Sequence, residues 1–323
     1  MKIEDRVYGE EEIEEEVLID LINCKSVQRL RGLAQYGFPD EYYPKCGFSR
    51  YEHSLGVLIS LRKLGADLTE QIAGLLHDVS HTSFSHVIDW AIGNPEKEDF
   101  QDKNHLNVIK NSEIPQILNR YGFDYKVVSR IEDFHLLEKE APILCVDRVD
   151  YTLREIVFDG DADLSKKFLF NLKNSNNDLF FVGRDIADEF GRAYAKLNRE
   201  HWAGVEARAR YYLLADILKR SFERGIITEK DIYKTDYELI DQLYEFGTSD
   251  MIKDLTFLKR KKVAVSCNNG NGILMRKKYR RVDPQISEDG RLKRLSEVSE
   301  DYRLFLENEK SFLEEAKYIK FLK

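Results

Sequence analysis

From Val17 onward, apolar residues recur at three- and four-residue steps: Val17, Leu18, Leu21 and Ile22, then Val27, Leu30, Leu33 and Ala34. That is the period of an α-helix with one buried face. GFPDEYYPKCGF (37–48) breaks the pattern with Gly and Pro and predicts a loop. Beyond it the spacing predicts a helix over 51–65, apolar nearly all round from Leu55 to Leu61 and therefore buried. Further helices are predicted over 69–79, 83–92, 104–111, 124–138 and 140–158. After Asp159 the texture changes. FLFNLKNSNNDLFFV (168–182) carries two β-rich runs about an Asn/Ser/Asp turn, which predicts a hairpin. A long helix is expected over 185–224, then shorter ones at 229–233, 236–246 and 248–258. KKVAVS (261–266), CNNGNG and ILMRKKYRRV (273–282) predict a second hairpin. The segment 296–320 reads as a charged amphipathic helix that packs Phe305, Leu306, Phe312, Leu313 and Ile319 on its own domain or on another protomer. No internal repeat is visible. The expected fold class is mainly α with small β-hairpins.

Composition agrees with this picture and narrows it. The 323 residues are 42% hydrophobic and 33% charged, enough for a sizeable core in one large or two modest domains. Only 6 Pro and 18 Gly leave room for long helices. The net charge of -8 disfavours a bulk nucleic-acid binder, although KRKK (259–262) and RKKYRR (276–281), with Tyr279 between, keep a local basic surface open. More often such runs are a solvated face. The acidic stretch 1–16 is expected to be solvated and has no signal-peptide core. No run of 18 apolar residues predicts a membrane span. Cys24, Cys46, Cys145 and Cys267 lie far apart without a CxxC pair, as in a reducing cytoplasm. The expectation is a cytoplasmic protein without a membrane partner.

Four residues are out of place in this frame. His53, the pair His77-Asp78, and Asp147 lie in EHSLGVLISL, IAGLLHDVSH and APILCVDRVDY, each otherwise apolar and helical. A charged or imidazole group on a buried helix needs a partner. A single helical His is more often a hydrogen-bonded core residue. Here the adjacency of His77 and Asp78 and the later Asp147 favour convergence on one divalent cation. Imidazole and carboxylate together suit Fe, Mn, Zn, Co or Ni. Adjacent His77 and Asp78 point about 100° apart on an ideal helix, yet both can reach one ion at a helix end. A water of lowered pKa on such an ion is a nucleophile at neutral pH.

The order His53…His77-Asp78…Asp147 resembles the H…HD…D signature of the HD superfamily of metal-dependent phosphohydrolases. VQRLRGLAQYG (27–37), SRYEHSLGV (49–57), AGLLHDVSHTSFSHVID (73–89) and VDRVDYTLRE (146–155) resemble its deoxynucleoside triphosphate triphosphohydrolase branch. The likeness is strong over 17–160 and looser over 168–225 and 276–302. It implies an HD-domain helical core at 17–160 behind the acidic segment 1–16, an extension of hairpin and long helix at 161–258 packed on the core, and a basic hairpin with a C-terminal helix at 259–323. It implies hydrolysis of (deoxy)nucleoside triphosphates to nucleoside and triphosphate by a metal-activated water, with Mg accompanying the phosphates, in a dimer or tetramer.

Residue by residue, the resemblance makes His53, His77, Asp78 and Asp147 the metal ligands. Arg50 and Arg148 match phosphate-contacting cations, suited to phosphate by charge and, for guanidinium, bidentate geometry. His81, His86 and Asp89 match groups lining the triphosphate and water side. His105 matches the general acid, which protonates a 5′-alkoxide, although Leu106 follows it where the family has Glu. Tyr151 matches a Tyr under the sugar, and Gln35 a Gln at the sugar edge. Glu155 stands for an Asp that holds the 3′-hydroxyl. Tyr36 stands for a Leu whose bulk excludes a 2′-hydroxyl. His201 and Arg208, on the predicted long helix, are within reach of the phosphates or form a structural face. Gln28 and Arg31 match part of an allosteric nucleotide site, with Asn23 in place of the Asp that reads guanine. Two other readings remain: a phosphatase or phosphodiesterase acting on another phosphorylated metabolite, cyclic nucleotide or short nucleic acid, and a nucleotide-sensing module without turnover.

Overall fold

A computed structural model describes the chain except residues 44, 46, 268–271, 276–279, 315 and 316. Cys46, most of the CNNGNG turn and the RKKY of the basic run, Tyr279 included, fall outside the described residues.

The acidic N-terminus is a hairpin whose glutamates Glu4, Glu10, Glu12 and Glu14 are exposed, as expected, while Asp5 is buried. β1 (Lys2–Asp5) pairs with β2 (Gly9–Glu12) in antiparallel register, Lys2 opposite Glu12 and Asp5 opposite Gly9. Alternation is the reason: Ile3 and Asp5 point inward while Lys2 and Glu4 face solvent, and Val7, Tyr8 and Ile13 add to the buried side. α1 (Glu16–Asn23) and α2 (Lys25–Arg29) follow. The loop then leads into α3 (Arg50–Lys63), fixed at its start by a capping box of Ser49 and Glu52. α4 (Leu68–Leu76) is capped by Asp67, whose carboxylate accepts from the Glu70 N–H at 2.8 Å, and it ends at His77.

The predicted helix 83–92 is reduced to α5 (Val87–Ala91), because Phe84 (φ 61°) and Ser85 (φ 50°) are left-handed. α6 (Phe100–Lys110) starts earlier than expected. α7 (Ile114–Arg120), with proline in its first turn, was not predicted, and the 124–138 helix is reduced to α8 (Tyr125–Val128) and a 3-10 turn at Ile131–Asp133. α9 (Val146–Phe158) carries Asp147 in its first turn.

FLFN completes α10 (Ala162–Asn171), so the hairpin is shorter than predicted: β3 (Leu172–Ser175) and β4 (Asp178–Phe181) joined by Asn176 and Asn177, both at positive φ. The long helix is two, α11 (Arg184–Leu197) and α12 (Val205–Glu223), separated by a wide π turn at Asn198–Trp202 and Gly204. α13 (Asp236–Phe246) and α14 (Ser249–Leu258) lie where expected.

Among the described residues the second predicted hairpin is not formed. β5 (Ala264–Cys267) and β6 (Ile273–Met275) flank a third strand, with Val265 opposite Lys320 and Leu274 opposite Tyr318. A hairpin of β7 (Gln285–Glu288) and β8 (Arg291–Arg294), turning at Asp289-Gly290, extends the sheet of β3 and β4, with β7 parallel to β4. The tail holds α15 (Leu295–Val298) and α16 (Glu300–Glu314), and its last part is β9 (Lys317–Phe321), the middle strand between β5 and β6. Among the described residues there are sixteen α-helices and three small sheets, a mainly α fold. None of these helices is long and apolar enough to cross a membrane.

Two apolar clusters hold the fold together. One joins the N-terminal hairpin, α1 to α4, α9 and α11, and takes in Val282, Ile286, Leu295 and Tyr302 from the far end of the sequence. The other joins α12, α13 and α14 to Phe38, Tyr42, Phe84 and Val87 from the loops around α3 to α5. α3 is buried on nearly all sides, so its His53 sits inside the first cluster's frame.

Candidate metal centre

Three separate segments converge. His53 lies in the first turn of α3, His77 and Asp78 follow the last turn of α4, and Asp147 lies in the first turn of α9. His53 Nε2 is 2.9 Å from Asp147 Oδ1 and 3.2 Å from His77 Nε2, which is 3.6 Å from the same Asp147 oxygen. The opposite ring nitrogens are committed. His77 Nδ1 donates to the Gly74 carbonyl at 2.7 Å, and His53 Nδ1 donates to the Asp150 carboxylate at 2.7 Å. Each ring, when neutral, thus presents its Nε2 to one point beside a carboxylate oxygen. Lone pairs so placed are balanced by a proton or a metal ion among them.

The electrostatics state the same demand. Burial opposes charge on His53, but Asp147 and Asp150 outweigh it and push its pKa up to about 9. His77 is also raised against burial, by Asp78 and Asp147. Burial would lift the Asp147 carboxyl, yet the two imidazoles hold it far below the usual range. His53, His77 and Asp147 thus form a group whose donor atoms can hold a metal ion. Asp78 borders this group. Its Oδ1 is 3.5 Å from His77 Nε2 and 3.3 Å from His81 Nε2, and its Oδ2 is 3.9 Å from His53 Nε2.

A cavity of about 970 Å³ opens over this point and reaches His77, Asp78 and Asp147. Arg50 lines it but is neither solvated nor free. It is buried, and its guanidinium donates to Asp78 Oδ2 at 2.6 Å, to Ser85 Oγ at 2.8 Å and to the Gln35 carbonyl at 3.2 Å. Arg148 also lines the cavity, donating to Glu138 at 2.8 Å and to Cys145 Sγ at 2.8 Å. His81 and His86 line it with rings edge-on, 5.0 Å between centroids. Asp89 stands behind His86, Oδ2 at 3.5 Å from its Nδ1, and accepts from the Phe100 N–H at 2.9 Å. His105 lines the wall, its Nδ1 3.0 Å from Ser80 Oγ. Burial and the neighbouring His77 lower its pKa to about 4, so it is neutral at pH 7 in the phosphate-free chain.

Gln35, Tyr36 and Tyr151 also line the cavity. The Tyr151 hydroxyl is 2.8 Å from that of Tyr194, and the Tyr36 hydroxyl accepts from Trp202 Nε1 at 3.1 Å. Glu155, expected at the sugar, is off the cavity wall: its carboxylate is hydrogen-bonded to His201 Nδ1 in the buried layer behind Tyr36. The longer side chain reaches the imidazole instead. Arg208 is likewise turned away, donating to the carbonyls of Ala203 and Met275. Gln28 and Arg31 border a separate cleft, where Gln28 accepts from Arg31 Nε at 2.8 Å and the Arg31 guanidinium lies 3.7 Å from the centre of the Tyr51 ring.

Sequence reasoning missed several neighbours. Asp150 and Arg154 back His53, although their four-residue spacing in VDRVDYTLRE was a readable signal for an ion pair on one helix face. Glu138 holds Arg148 and shares with Cys145 and Asp147 a second set of clustered donors. Arg280, visible only as part of a basic run, lines the cavity paired to Glu98 at 2.6 Å.

Residues 50–155, which contain the whole His/Asp group, match the HD domain family. A metal-dependent phosphohydrolase of Cordyceps militaris is 30% identical over 293 residues, 88% of this chain and 84% of that one. The chain belongs to the HD-domain metal-dependent phosphohydrolases. Within this family, the uncharacterised YdhJ of Bacillus subtilis is 36% identical over 326 residues, covering 100% of both chains. A homologue of the deoxynucleoside triphosphate triphosphohydrolase SAMHD1 in Dictyostelium discoideum is 26% identical over 216 residues, 57% of this chain and 42% of its own. The crystal structure of a phosphohydrolase from Bacteroides thetaiotaomicron has the same fold over 100% of this HD-domain chain and 99% of that one, with a TM-score of 0.75 at 18% identity.

Proposed function

We propose that this HD-domain protein hydrolyses (deoxy)nucleoside triphosphates to nucleoside and inorganic triphosphate. One observation carries the reading: a His/His/Asp group with both imidazoles buried opens onto a cavity of about 970 Å³ whose wall combines Arg50, Arg148 and Arg280 with Tyr36, Tyr151, Trp202 and Tyr211. Guanidinium groups suit phosphate oxygens, and aromatic faces suit a base and sugar. The likeness to a deoxynucleoside triphosphate triphosphohydrolase supports it. His53, His77 and Asp147, with Asp78 as fourth ligand, would hold a divalent ion, which when bound would supply a water of lowered pKa and a counter-charge for phosphate.

The chain's own groups do the rest. Arg50 meets phosphate while remaining tied to Asp78. Arg148 turns to phosphate by exchanging Glu138 for it. His86, backed by Asp89, orients the attacking water, and His81 flanks it. His105 carries the proton for the leaving oxygen, and a polyphosphate beside it would raise its pKa from about 4. Gln35, Tyr36 and Tyr151 seat the sugar, and Glu155 acts only by holding the layer behind Tyr36.

A second reading has a specific observation in its favour. Among the described residues, each Arg or Lys on the wall is ion-paired: Arg50 to Asp78, Lys139 to Asp178, Arg148 to Glu138 and Arg280 to Glu98. Glu132, Glu140 and Asp102 add further negative charge. Such a wall suits a substrate of lower charge, a phosphomonoester or phosphodiester. Incubating the metal-loaded protein with nucleoside tri-, mono- and cyclic phosphates and identifying the products separates the two. Triphosphate release supports the first reading; orthophosphate or a linear mononucleotide alone replaces it with the second. No turnover of any phosphate ester would leave nucleotide sensing.

A further inference from the structure

Behind His53 runs a line of buried charges that reaches the N-terminal hairpin. Asp150 Oδ2 lies 2.7 Å from His53 Nδ1 and also accepts from Arg154 Nε at 2.7 Å. The same guanidinium donates through Nη2 to Asp5 Oδ2 at 2.7 Å. Asp5 is the last residue of β1, and its other oxygen accepts from the N–H groups of Val7 and Tyr8 at 2.8 and 3.0 Å. Asp150, Arg154 and His53 are each 0% exposed, and Asp5 8%. Room for this line is made on α3: a Cβ at Gly56 would fall inside the Arg154 guanidinium and the Asp150 carboxylate.

We propose that the N-terminal hairpin is a working part of the metal centre, with Asp5 acting through Arg154 and Asp150 as a positioning residue for His53. The inference rests on the metal site proposed above. Buried ion pairs are a poor means of gaining stability, because desolvation offsets the attraction. Ile3, Val7 and Ile13 already dock the hairpin on the core. What the charges add is direction. Asp150 shares one oxygen between the imidazole and the guanidinium, so the position of Arg154 sets where that oxygen points. Arg154 is fixed on its far side by Asp5, and Asp5 by the turn of the hairpin. The carboxylate so held makes Nδ1 the donor of His53 and leaves Nε2 as the ring nitrogen that a metal ion would meet.

The test compares Co²⁺ affinity, by chelator competition, in the wild-type chain and in Asp5→Asn, with circular dichroism to confirm folding. Asparagine can still accept from Val7 and Tyr8 but brings no charge to Arg154. Outer partners of metal ligands typically change affinity by about 10- to 100-fold, so Asp5→Asn should bind Co²⁺ about tenfold more weakly or worse, and Glu4→Gln, exposed on the same strand, should bind as wild type. A folded Asp5→Asn with wild-type affinity overturns the proposal. If Asp5→Asn does not fold, amide exchange in the wild type decides: Co²⁺ should slow the Val7 and Tyr8 amides, and unchanged exchange there overturns it. A wild-type chain that binds no Co²⁺, Mn²⁺, Fe²⁺, Zn²⁺ or Ni²⁺ would instead overturn the metal site itself.

Discussion

Replacing Asp236 with asparagine should change how stability depends on pH as well as how large it is. Asp236 opens α13, is 1% exposed, and accepts from the Ala34 N–H at 2.8 Å and the Phe84 N–H at 2.7 Å. These amides belong to the two loops that shape the cavity: Ala34 precedes Gln35 and Tyr36, and Phe84 precedes Ser85, which accepts from Arg50. Burial pushes the Asp236 carboxyl up to about 6, against the pull of both backbone N–H groups, Arg50 and Arg29. In the unfolded chain its value is about 3.9. The folded state therefore holds the proton more tightly. The stabilisation is fully present below pH about 4 and is lost as pH rises to about 6. Two pKa units correspond to about 3 kcal/mol. Asparagine does not titrate, and it sets an NH₂ group against one of the two buried N–H donors, at a pH-independent cost of about 1–3 kcal/mol. Urea unfolding of both metal-free proteins between pH 4 and 7 should show the wild-type advantage shrinking by about 3 kcal/mol across that window. Parallel stability curves would refute the reasoning.

Asp147→Ala should leave a folded chain with little bound metal; unchanged metal stoichiometry by elemental analysis would remove Asp147 from the ligand set. His105→Ala should keep its metal and lose turnover by about 10²-fold or more, and undiminished turnover would end its role as proton donor. Gly56→Ala should lower the urea midpoint, at a cost of about 1–3 kcal/mol from overpacking against Arg154 and Asp150. A midpoint equal to wild type would show that the space exists.

The convergence of His53, His77 and Asp147 was legible because polar groups on otherwise apolar helices have few reasons to be there. The surroundings were less so, for physical reasons that differ from place to place. Asp5 stood among glutamates in a run that reads as solvated, and only the pairing of β1 with β2 turns it inward. Glu155 was placed by analogy of position, but its reach is set by His201, more than forty residues away, which no local pattern reveals. The Asp289-Gly290 turn of β7 and β8 was a readable hairpin signal between short polar strands. β9 was hidden for another reason. An amphipathic stretch of five residues fits either helix or strand, and the partners that decide it lie about 50 residues earlier.

That middle strand bears on how the polypeptide is made. Synthesis delivers β5 and β6 first and the strand that joins them only about 40 residues later. Until residues 317–321 leave the ribosome, the two short strands that flank them stay without the backbone partner that joins them. Shielding of this corner against mispairing during translation is therefore a task for whatever holds the nascent chain.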